Sequence, residues 1–265
     1  MQRITADKRM LARRFRRGMA TYEGAAVVQS EMAAALVADL LSASATDRFE
    51  HVLELGCGTG LLTGRLVDHC RLSCLVLNDL VAESGESVQR VLRRKPGVMA
   101  TFVPGDMETI DLPDDQDLVI SNAVLQWAAD PPSLLRRMTR LLRTGGVLAL
   151  ASFGPANLLE LSAVAGLSLH YPSLAQWHAS LAGDYEVLSG RETLRTLWFP
   201  SAGAVLRHLK ETGVNALATQ PWPPAKIMRF CRTYETTFGR QAEVPLTYNP
   251  VFIIARKHHD GGGRR

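Results

Sequence analysis

The stretch “HVLELGCGTG”, from His51 to Gly60, joins an apolar run to glycines at alternate positions. The apolar run predicts a buried β-strand. Gly56, Gly58 and Gly60 predict a tight turn, in which the missing side chains let a ligand approach the backbone just before a helix begins. This order of strand, glycine turn and helix is typical of the first unit of an α/β sheet that binds a nucleoside ligand.

The chain that surrounds this turn, from His51 to Phe153, alternates short apolar runs with helical patterns. The predicted strands are “HVLELG”, “LSCLVLN”, “MATFVPG”, “DLVISN” and “GVLALASF”. The predicted helices are “LLTGRLVDHC”, “VAESGESVQRVLRR” and “PPSLLRRMTRLLRT”, the last closed by a C-cap glycine in “RTGG”. Several runs are apolar on both faces, as in strands that helices cover on each side. We therefore predict an α/β fold with a doubly wound parallel sheet.

The segments on either side of this core are expected to belong to the same domain. “GAAVVQSEMAAALVADLL” predicts a helix ahead of the core, and “YEVLSGRETLRTLWFP” and “LTYNPVFIIARK” predict strands behind it. Pro250 has to stand at an edge or a start of its strand because it cannot donate to the ladder. The interval from Pro155 to Asp184 is too long for a bare connection and predicts a helical insert above the sheet. The predicted parts are an N-terminal helical cap (1–45), a cofactor-binding core (46–153), a helical insert or lid (154–200), the C-terminal part of the sheet (201–258) and a flexible tail (259–265).

The composition predicts a globular protein of a reducing compartment. With 265 residues, 46% hydrophobic and 21% charged, the chain can bury a full core. Its net charge of +4 indicates a solvated basic surface, which would also suit an acidic partner. The four cysteines form no CxxC pair, so we expect no metal site and a cytoplasmic location. We find neither a signal region nor a run of roughly 18 apolar residues, and we expect no membrane partner.

Polar residues follow the ends of the predicted strands, at the edge where open sheets bind ligands. Glu54, beside the glycine turn, is suited to hold an ammonium group; Asp79 is suited to take both hydroxyls of a ribose, and Asp106 to accept from an adenine amine. A dinucleotide site has the spacing GxGxxG, whereas this chain has GxGxG. That spacing and Glu54 favour S-adenosyl-L-methionine, and a nicotinamide dinucleotide is the alternative. The predicted cofactor-binding residues are Glu54, Gly56, Gly58, Gly60, Asp79, Leu80, Asp106, Met107 and Asn122.

The motifs at successive strand ends resemble those of the class I S-adenosylmethionine-dependent methyltransferases. They are “LELGCGTG”, “LND”, “GDME” and “SNAVLQW”. Segments outside the core resemble more narrowly the malonyl-[acyl-carrier protein] O-methyltransferase family of biotin synthesis. These segments are “RRFRRGMATYEGAAVVQSEMA”, “SFGPANLLEL”, “LRHLKETGVNAL” and “PLTYNPVFIIARK”. The resemblance implies a seven-stranded, Rossmann-like sheet whose last strand is antiparallel, with the N-terminal helix as part of the fold.

The resemblance also implies a reaction. Members of the family convert the free carboxylate of a malonyl thioester, on acyl carrier protein or coenzyme A, to its methyl ester. A carboxylate is already ionised at neutral pH, so no strong general base is required. We predict that Tyr22 and Tyr248 donate hydrogen bonds to this carboxylate and that Gln126 and Trp127 shape the pocket wall. The candidates for a cationic partner are Arg13, Arg14, Arg16, Arg17 and Arg143, and His170 and His208 are expected at the surface or in structural roles.

Other activities share the same core, and only the flanking segments separate them. The alternative function is a small-molecule O- or C-methyltransferase, such as a trans-aconitate or quinone-pathway enzyme, and a second is a cofactor-binding protein without turnover. Methylation of nucleic acid is not expected, because “SNAVLQW” lacks the Asn/Asp-Pro-Pro-aromatic pattern of enzymes that methylate amino groups. The arginine-rich N-terminal helix and the insert would present a complementary surface to an acidic carrier protein. We expect a monomer.

Overall fold

Strands and helices alternate along most of the chain in the computed structural model, which describes residues 7–95, 97–166, 169, 171–213 and 222–259. The strands are β1 (Arg48–Leu55), β2 (Arg71–Asp79), β3 (Met99–Pro104), β4 (Gln116–Asn122), β5 (Leu142–Phe153), β6 (Tyr185–Glu192), β7 (Arg195–Phe199), β8 (Val244–Tyr248) and β9 (Pro250–Lys257). The helices are α1 (Lys8–Ala25), α2 (Val27–Ser44), α3 (Leu61–His69), α4 (Ser84–Leu92), α5 (Pro131–Leu141), α6 (Leu159–Ala165), α7 (Leu174–Leu181), α8 (Ala202–Glu211) and α9 (Pro224–Phe238). A short 3-10 helix, Leu125–Trp127, follows β4.

Seven strands form one sheet in the order β3-β2-β1-β4-β5-β9-β6. Strands β1 to β5 run parallel to one another, whereas β9 runs antiparallel to both β5 and β6. The predicted doubly wound sheet with an antiparallel last strand is therefore confirmed. The strand order reverses between β1 and β4, which is the point where open sheets bind ligands. Strands β7 and β8 pair separately as a small antiparallel sheet.

Successive side chains on the central strands enter different hydrophobic cores, because a strand alternates its faces. Val52 of β1 lies in a cluster with Leu36 of α2 and Leu66 of α3. Its neighbour Leu53 lies in a second cluster with Met138 of α5. Helices thus cover both faces of the sheet, which explains why its strands are apolar almost throughout.

Helix α2 has the length and composition of a membrane span, so the expectation that no such stretch exists is wrong. Its 18 residues, Val27–Ser44, have a mean hydropathy of 1.2. In the fold this helix packs against α3, β5 and β9. Val28, Met32, Leu36 and Leu40 are each 1% exposed or less. A helix with so much apolar surface is equally typical of the core of a protein.

Two of the predicted boundaries are wrong. The glycines of “RTGG” do not cap a helix, because α5 ends at Leu141 and β5 already begins at Leu142. Gly145, with φ +74°, lies where the pairing of β5 with β4 shifts register. “LTYNPVFIIARK” is not a single strand, because β8 ends at Tyr248 and β9 begins at Pro250 in the other sheet. Pro250 stands at a strand start, as predicted from its missing N–H.

The segments that flank the core surround it with further helices. Residues 154–200, expected as a helical insert, contain α6 and α7 and then the strands β6 and β7, so only the first part of this segment is helical. Helix α1 packs against α8, and α8 packs against α9. The division of the chain into parts stays a prediction. Residues 260–265 of the predicted tail, the end of “LRHLKETGVNAL” and His170 lie outside the described residues.

Candidate active site

The turn between β1 and α3 has backbone angles that favour glycine. Gly56, Gly58 and Gly60 have φ values of +71°, +53° and +92°. A β-carbon on Gly56 would lie 2.4 Å from a methyl of Val124, and one on Gly60 would lie 2.9 Å from a methyl of Val91. Around Gly58, no described atom lies within 4 Å of the β-carbon position. The outer glycines therefore allow close packing, whereas Gly58 leaves room for a ligand.

Asp79, at the end of β2, holds the glycine turn in place. Its Oδ2 accepts a hydrogen bond from the Gly58 N–H at 2.8 Å, and its Oδ1 accepts one from the Val81 N–H at 2.8 Å. Burial raises the pKa of Asp79, and these two N–H donors act in the opposite direction. A carboxylate oxygen can accept more than one hydrogen bond, so Asp79 can still receive the hydroxyls of a ribose.

Glu54 is a buried carboxyl group near the end of β1, only 1% exposed. Its Oε2 accepts a hydrogen bond from the Thr63 hydroxyl at 2.8 Å. Burial raises the pKa of Glu54 to about 8, the Thr63 hydrogen bond lowers it, and the nearby charge of Asp79 raises it further. At neutral pH the protonated form therefore dominates, and a bound ammonium group would favour the ionised form.

Asp106 and Met107 follow β3 and lie against the start of α1. The Lys8 ammonium is 2.6 Å from Asp106 Oδ1, and it also forms an ion pair with Glu108. The Glu108 N–H donates to the same Oδ1 at 3.0 Å. Since both contacts use Oδ1, Oδ2 of Asp106 remains able to accept from an adenine amine. Met107 is 8% exposed and offers an apolar surface beside it.

Several buried polar atoms near these residues have no hydrogen-bond partner within the described part of the chain. Asn122 donates through Nδ2 to the Gln29 carbonyl at 3.0 Å, but its Oδ1 is unpartnered. The same holds for Gln29 Oε1, Thr59 Oγ1 and Gln126 Oε1. Buried polar atoms are normally satisfied. Acceptors in this state fit a ligand that brings its own donors, as S-adenosylmethionine does with its ammonium, hydroxyl and amine groups.

The strand ends and the glycine turn line a cavity, which we call the glycine-loop cavity. Eight predicted cofactor-binding residues line it, namely Glu54, Gly56, Gly58, Asp79, Leu80, Asp106, Met107 and Asn122. The ninth, Gly60, lines a separate surface depression beside α3 and α4. Its role is therefore in the packing of the turn.

Helix α1 closes the other side of the glycine-loop cavity. The lining residues recur at helical spacing and are Lys8, Leu11, Ala12, Phe15, Met19 and Tyr22. Phe15 packs edge-on against Trp127, with ring centroids 5.9 Å apart. Away from the cavity, α1 exposes Arg13, Arg16 and Arg17. The helix therefore has one face for a ligand and one for solvent or a partner.

A second cavity, which we call the tyrosine cavity, adjoins the first. Its lining consists of Phe15, Tyr22, Gln29, Ala123, Gln126, Trp127, Phe153, Asn157, Leu158, Tyr171, Thr212 and Tyr248. The residues shared with the glycine-loop cavity are Phe15, Tyr22, Gln29, Ala123 and Trp127. The four predicted catalytic residues Tyr22, Gln126, Trp127 and Tyr248 thus all line the tyrosine cavity, and Tyr22 and Trp127 also line the glycine-loop cavity.

The Tyr248 side chain forms a buried pair with His208. Its hydroxyl oxygen lies 2.8 Å from His208 Nε2. Burial raises the pKa of Tyr248 and lowers the pKa of His208, so both groups are neutral at neutral pH. The hydroxyl can donate to an acceptor molecule only when Nε2 of His208 carries the ring proton.

The chain is similar to known methyltransferases along almost its whole length. Residues 53–150 match the model of a methyltransferase domain. The chain is 40% identical to the malonyl-[acyl-carrier protein] O-methyltransferase of Chlorobium luteolum, over 96% of this chain and 97% of that protein. It is 38% identical to the protein of the same name from Haemophilus ducreyi, over 94% of this chain and 97% of that protein.

The chain belongs to the malonyl-[acyl-carrier protein] O-methyltransferase family. Solved structures share the fold of this family member. The YcgJ protein from Bacillus subtilis aligns with a TM-score of 0.59 at 16% identity and covers 83% of this chain and 97% of its own. The N-methyltransferase NodS from Bradyrhizobium japonicum, solved with S-adenosyl-L-homocysteine, aligns with a TM-score of 0.52 at 16% identity and covers 86% of each chain. The domain match and the glycine loop indicate S-adenosyl-L-methionine as the cofactor of this family member, as predicted.

Part of the site of this family member was missed in the sequence. Asn157 and Tyr171 line the tyrosine cavity, and Lys8 and Phe15 line the glycine-loop cavity. A signal existed for Asn157 in “SFGPANLLEL” and for α1 in the spacing of its apolar residues. No candidate arginine is among the described residues that line either cavity. Two of these arginines have acidic partners instead, since Arg16 pairs with Glu83 and Arg143 with Asp117.

Proposed function

We propose that this chain transfers a methyl group from S-adenosyl-L-methionine to the free carboxylate of a malonyl thioester on acyl carrier protein, the first step toward the pimeloyl part of biotin. The observation that carries the proposal is the junction of two cavities, one lined by the predicted cofactor-binding residues and one by the predicted catalytic residues. The names of relatives that match nearly the full length of the chain support the choice of acceptor.

The glycine-loop cavity would hold the cofactor through groups at successive strand ends. Glu54 would bind the ammonium, Asp79 the ribose hydroxyls and Asp106 the adenine amine, with Met107 against the ring. The unpartnered Oδ1 of Asn122 would accept from the amino acid part. When bound, the cofactor would supply a methyl group on its sulfonium: a carboxylate oxygen would form a bond to the methyl carbon as the carbon–sulfur bond breaks, and the neutral thioether S-adenosylhomocysteine would leave.

The protein has to position the acceptor and exclude water, and it need not remove a proton. The acceptor carboxylate is ionised at neutral pH, so it is a nucleophile without a base. Helix α1 lines the site, and its Phe15 packs against Trp127 of the facing wall, with ring centroids 5.9 Å apart. Orientation within a dry site can supply a large part of the acceleration of such a reaction.

The tyrosine cavity would hold the acceptor. Tyr22 lines both cavities, so its hydroxyl is the first candidate to orient the carboxylate. Trp127 and Gln126 would form the wall, and Gln126 is fixed by a hydrogen bond from its Nε2 to the Ala123 carbonyl at 2.7 Å. Tyr248 would act together with His208, which holds its hydroxyl.

The exposed face of α1 is our proposed docking surface for the carrier protein. Arg13 and Arg17 are exposed there, and opposite charge on a partner increases the rate of encounter. The double substitution Arg13→Glu and Arg17→Glu should lower kcat/KM for malonyl-carrier protein about tenfold at low salt while leaving kcat/KM for malonyl-coenzyme A within about twofold. Equal losses on both substrates would contradict the docking surface.

The matched control for these substitutions lies on α5. Arg136→Glu and Arg140→Glu reverse the same number of exposed charges on the other face of the sheet. They should change neither rate by more than about twofold, because a docking contact is local and screened beyond roughly 10 Å at moderate salt.

A methyl-transfer assay tests the function itself. The wild-type chain and S-adenosyl-L-methionine are incubated with malonyl-acyl carrier protein, malonyl-coenzyme A or trans-aconitate, and mass spectrometry detects the added methyl group. Methylation of malonyl-carrier protein with the highest kcat/KM supports the proposal. Preferred methylation of trans-aconitate would replace it with the small-molecule alternative, and cofactor binding without any transfer would indicate a binding protein.

We further propose that the protein acts as a monomer in the cytoplasm. The apolar helix α2 packs within the fold, and the four cysteines are free thiols, as suits a reducing compartment. Analytical ultracentrifugation should give the mass of one 29.0 kDa chain.

A further inference from the structure

The tyrosine cavity has a neutral lining. Every residue of the described chain that lines it is uncharged, and the polar groups of these residues are phenols, a threonine hydroxyl, side-chain amides and the indole N–H of Trp127. A carboxylate transferred from water into such a cavity needs hydrogen-bond donors, since it finds no opposite charge on these residues. The chemistry of the lining therefore decides how an anionic acceptor could be held.

We infer that the tyrosine cavity binds the acceptor carboxylate through neutral hydroxyl donors, chiefly those of Tyr22 and Tyr171, without a cation of the described chain. This inference rests on the proposed function, because that function provides an acceptor with a carboxylate. It adds Tyr171, with its positioning residue Asn157, to the residues that recognise the acceptor. It also replaces the expected arginine partner with hydrogen bonds from uncharged groups.

Asn157 and Tyr171 both line the tyrosine cavity, and the orientation of Asn157 is fixed. The Asn249 N–H donates to Asn157 Oδ1 at 3.2 Å, so the amide of Asn157 presents Nδ2 as its donor. Burial raises the pKa of Tyr171, and the Asn157 side chain acts in the opposite direction, as a donor near the phenol oxygen does. A donor on that side would leave the Tyr171 proton to be donated to another group. The cavity that both residues line is where that acceptor would lie.

Asn249 anchors this arrangement at the junction of β8 and β9. Its Oδ1 accepts from the Ala156 N–H at 3.1 Å, and its Nδ2 donates to the Thr193 carbonyl at 2.9 Å. A β-carbon on Gly154 would lie 2.4 Å from Asn249 Oδ1, so the loop approaches Asn249 as closely as glycine permits. The position of Asn157 is therefore set by packing and hydrogen bonds and does not depend on a ligand.

Tyr22 supplies the second donor and links the two cavities. Its hydroxyl donates no hydrogen bond to a residue of the described chain, whereas that of Tyr248 is engaged with His208. Burial raises the pKa of Tyr171 to about 12, and it also raises the pKa of Tyr22. Both phenols therefore keep their protons near neutral pH and can donate to an anion.

The residues that line the tyrosine cavity carry no positive charge to balance the negative charge of the acceptor carboxylate. The binding of an anion there should then depend on the charge held in the adjoining glycine-loop cavity, since charges at short range interact strongly in a partly buried site. After methylation the acceptor is a neutral ester, for which this dependence disappears. A cavity without a cation should therefore bind the anionic substrate tightly only while the positively charged methyl donor is bound next to it. It should release the neutral ester product, which that charge does not attract.

Isothermal titration calorimetry with non-reactive cofactor analogues tests this dependence. The full-length protein is saturated with S-adenosylhomocysteine, which is neutral at sulfur, or with sinefungin, which carries an ammonium in place of the sulfonium. Malonyl-carrier protein should bind at least about tenfold more tightly to the sinefungin complex. The methyl ester of malonyl-carrier protein should bind the two complexes within about twofold. Equal affinity of malonyl-carrier protein for both complexes would overturn the inference.

Substitutions identify the donors in the same assay. Tyr171→Phe should lower the affinity for malonyl-carrier protein at least about tenfold, as expected for a lost hydrogen bond to a charged group. It should leave the affinity for the methyl ester within about twofold of the wild-type value. Asn157→Ala should likewise lower the affinity for malonyl-carrier protein more than the affinity for its methyl ester. If these residues had a merely structural role, the affinities for both ligands would fall equally, and that result would contradict the assignment.

Tyr185→Phe is the matched control. It also removes a buried phenol hydroxyl, which bonds Thr139 at 2.9 Å in the other core of the protein. It should change neither affinity. If wild-type protein methylates malonyl-carrier protein but Tyr171→Phe binds it as wild type does, the inference fails while the proposed function stands. If wild-type protein does not methylate malonyl-carrier protein, the proposed function fails.

Discussion

If Glu54 binds the ammonium group of the cofactor as proposed, cofactor binding should release a proton. The Glu54 pKa of about 8 means that, at pH 7, about nine tenths of the unliganded protein carries this proton. An ammonium beside it favours the carboxylate, so binding at pH 7 should release between about 0.5 and 0.9 proton. Calorimetry in buffers of different ionisation enthalpy measures this number. Glu54→Gln should lose most of the release, and an equal release in both proteins would exclude Glu54 as its source.

Gly56 and Gly58 exclude a side chain for different reasons, because only Gly56 combines a positive φ with a close neighbour. Gly56→Ala should cost about 2–4 kcal/mol of unfolding free energy, because it adds a contact with Val124 to a positive φ. Gly58→Ala has the positive φ alone and should cost about 1–2 kcal/mol. Its larger effect should be on cofactor affinity, since its new methyl group enters the glycine-loop cavity.

Denaturant unfolding and calorimetry with S-adenosylhomocysteine separate these two effects. Gly56→Ala should have the lower unfolding free energy of the two variants. Gly58→Ala should lose more affinity for S-adenosylhomocysteine, although it loses less stability. The reverse order in stability would mean that close packing at Val124 does not limit the turn.

Helix α1 lines one side of the glycine-loop cavity, and we expect its attachment to the rest of the fold to control access to that cavity. Lys8 joins α1 to Asp106 and Glu108 and is only 22% exposed, whereas the Arg16–Glu83 pair is about half exposed on both sides. Surface ion pairs contribute roughly 0.2–1 kcal/mol, and the more buried network should lie at the upper end. Lys8→Met should therefore speed amide hydrogen exchange in α1 about fivefold.

The control for this element is Arg16→Met, which should change exchange in α1 by less than about twofold. Hydrogen exchange with mass spectrometry resolves α1 from the strands, whose exchange should be unchanged in both variants. Faster exchange in Arg16→Met than in Lys8→Met would mean that the contacts of the helix end at Asp106 do not hold α1 closed.

At the scale of the whole molecule, the sheet and the cofactor side of the site could be predicted from local patterns. Strands buried on both faces are apolar throughout, as Val52 and Leu53 show by entering different cores. A parallel sheet brings the ends of its strands to one edge, so Glu54, Asp79 and Asp106 meet there without any knowledge of distant contacts.

The tyrosine cavity, the proposed acceptor side, could not be predicted in this way, because distant segments of the chain build it. Asn249 bonds to Asn157 across 92 positions, and His208 bonds to Tyr248 across 40. Such pairings depend on how α8 and the β8–β9 junction pack, which no local spacing encodes. Family resemblance pointed to Tyr22 and Tyr248 but not to Tyr171, and charge counting suggested arginines that the described lining of the cavities does not contain.

Because these distant segments meet at the glycine-loop cavity, a ligand there should stabilise the whole fold. The lining comes from α1, the glycine turn, the ends of β2, β3 and β4, and the 3-10 helix. A ligand that binds only the folded chain at about 100 times its Kd adds about 2.7 kcal/mol. For a chain of this size, that corresponds to a rise in Tm of about 5–10 °C.

Differential scanning fluorimetry with S-adenosylhomocysteine measures this shift, and two variants locate it. Asp79→Asn should lose most of the shift, because an amide cannot accept both backbone N–H groups and the ribose hydroxyls as the carboxylate can. Tyr171→Phe should keep the full shift, because its side chain lines only the tyrosine cavity. The Tm of each variant with ligand is compared with the Tm of the same variant without ligand, so a difference in basal stability does not affect the shift. A shift lost in Tyr171→Phe but kept in Asp79→Asn would exchange the roles assigned to the two cavities.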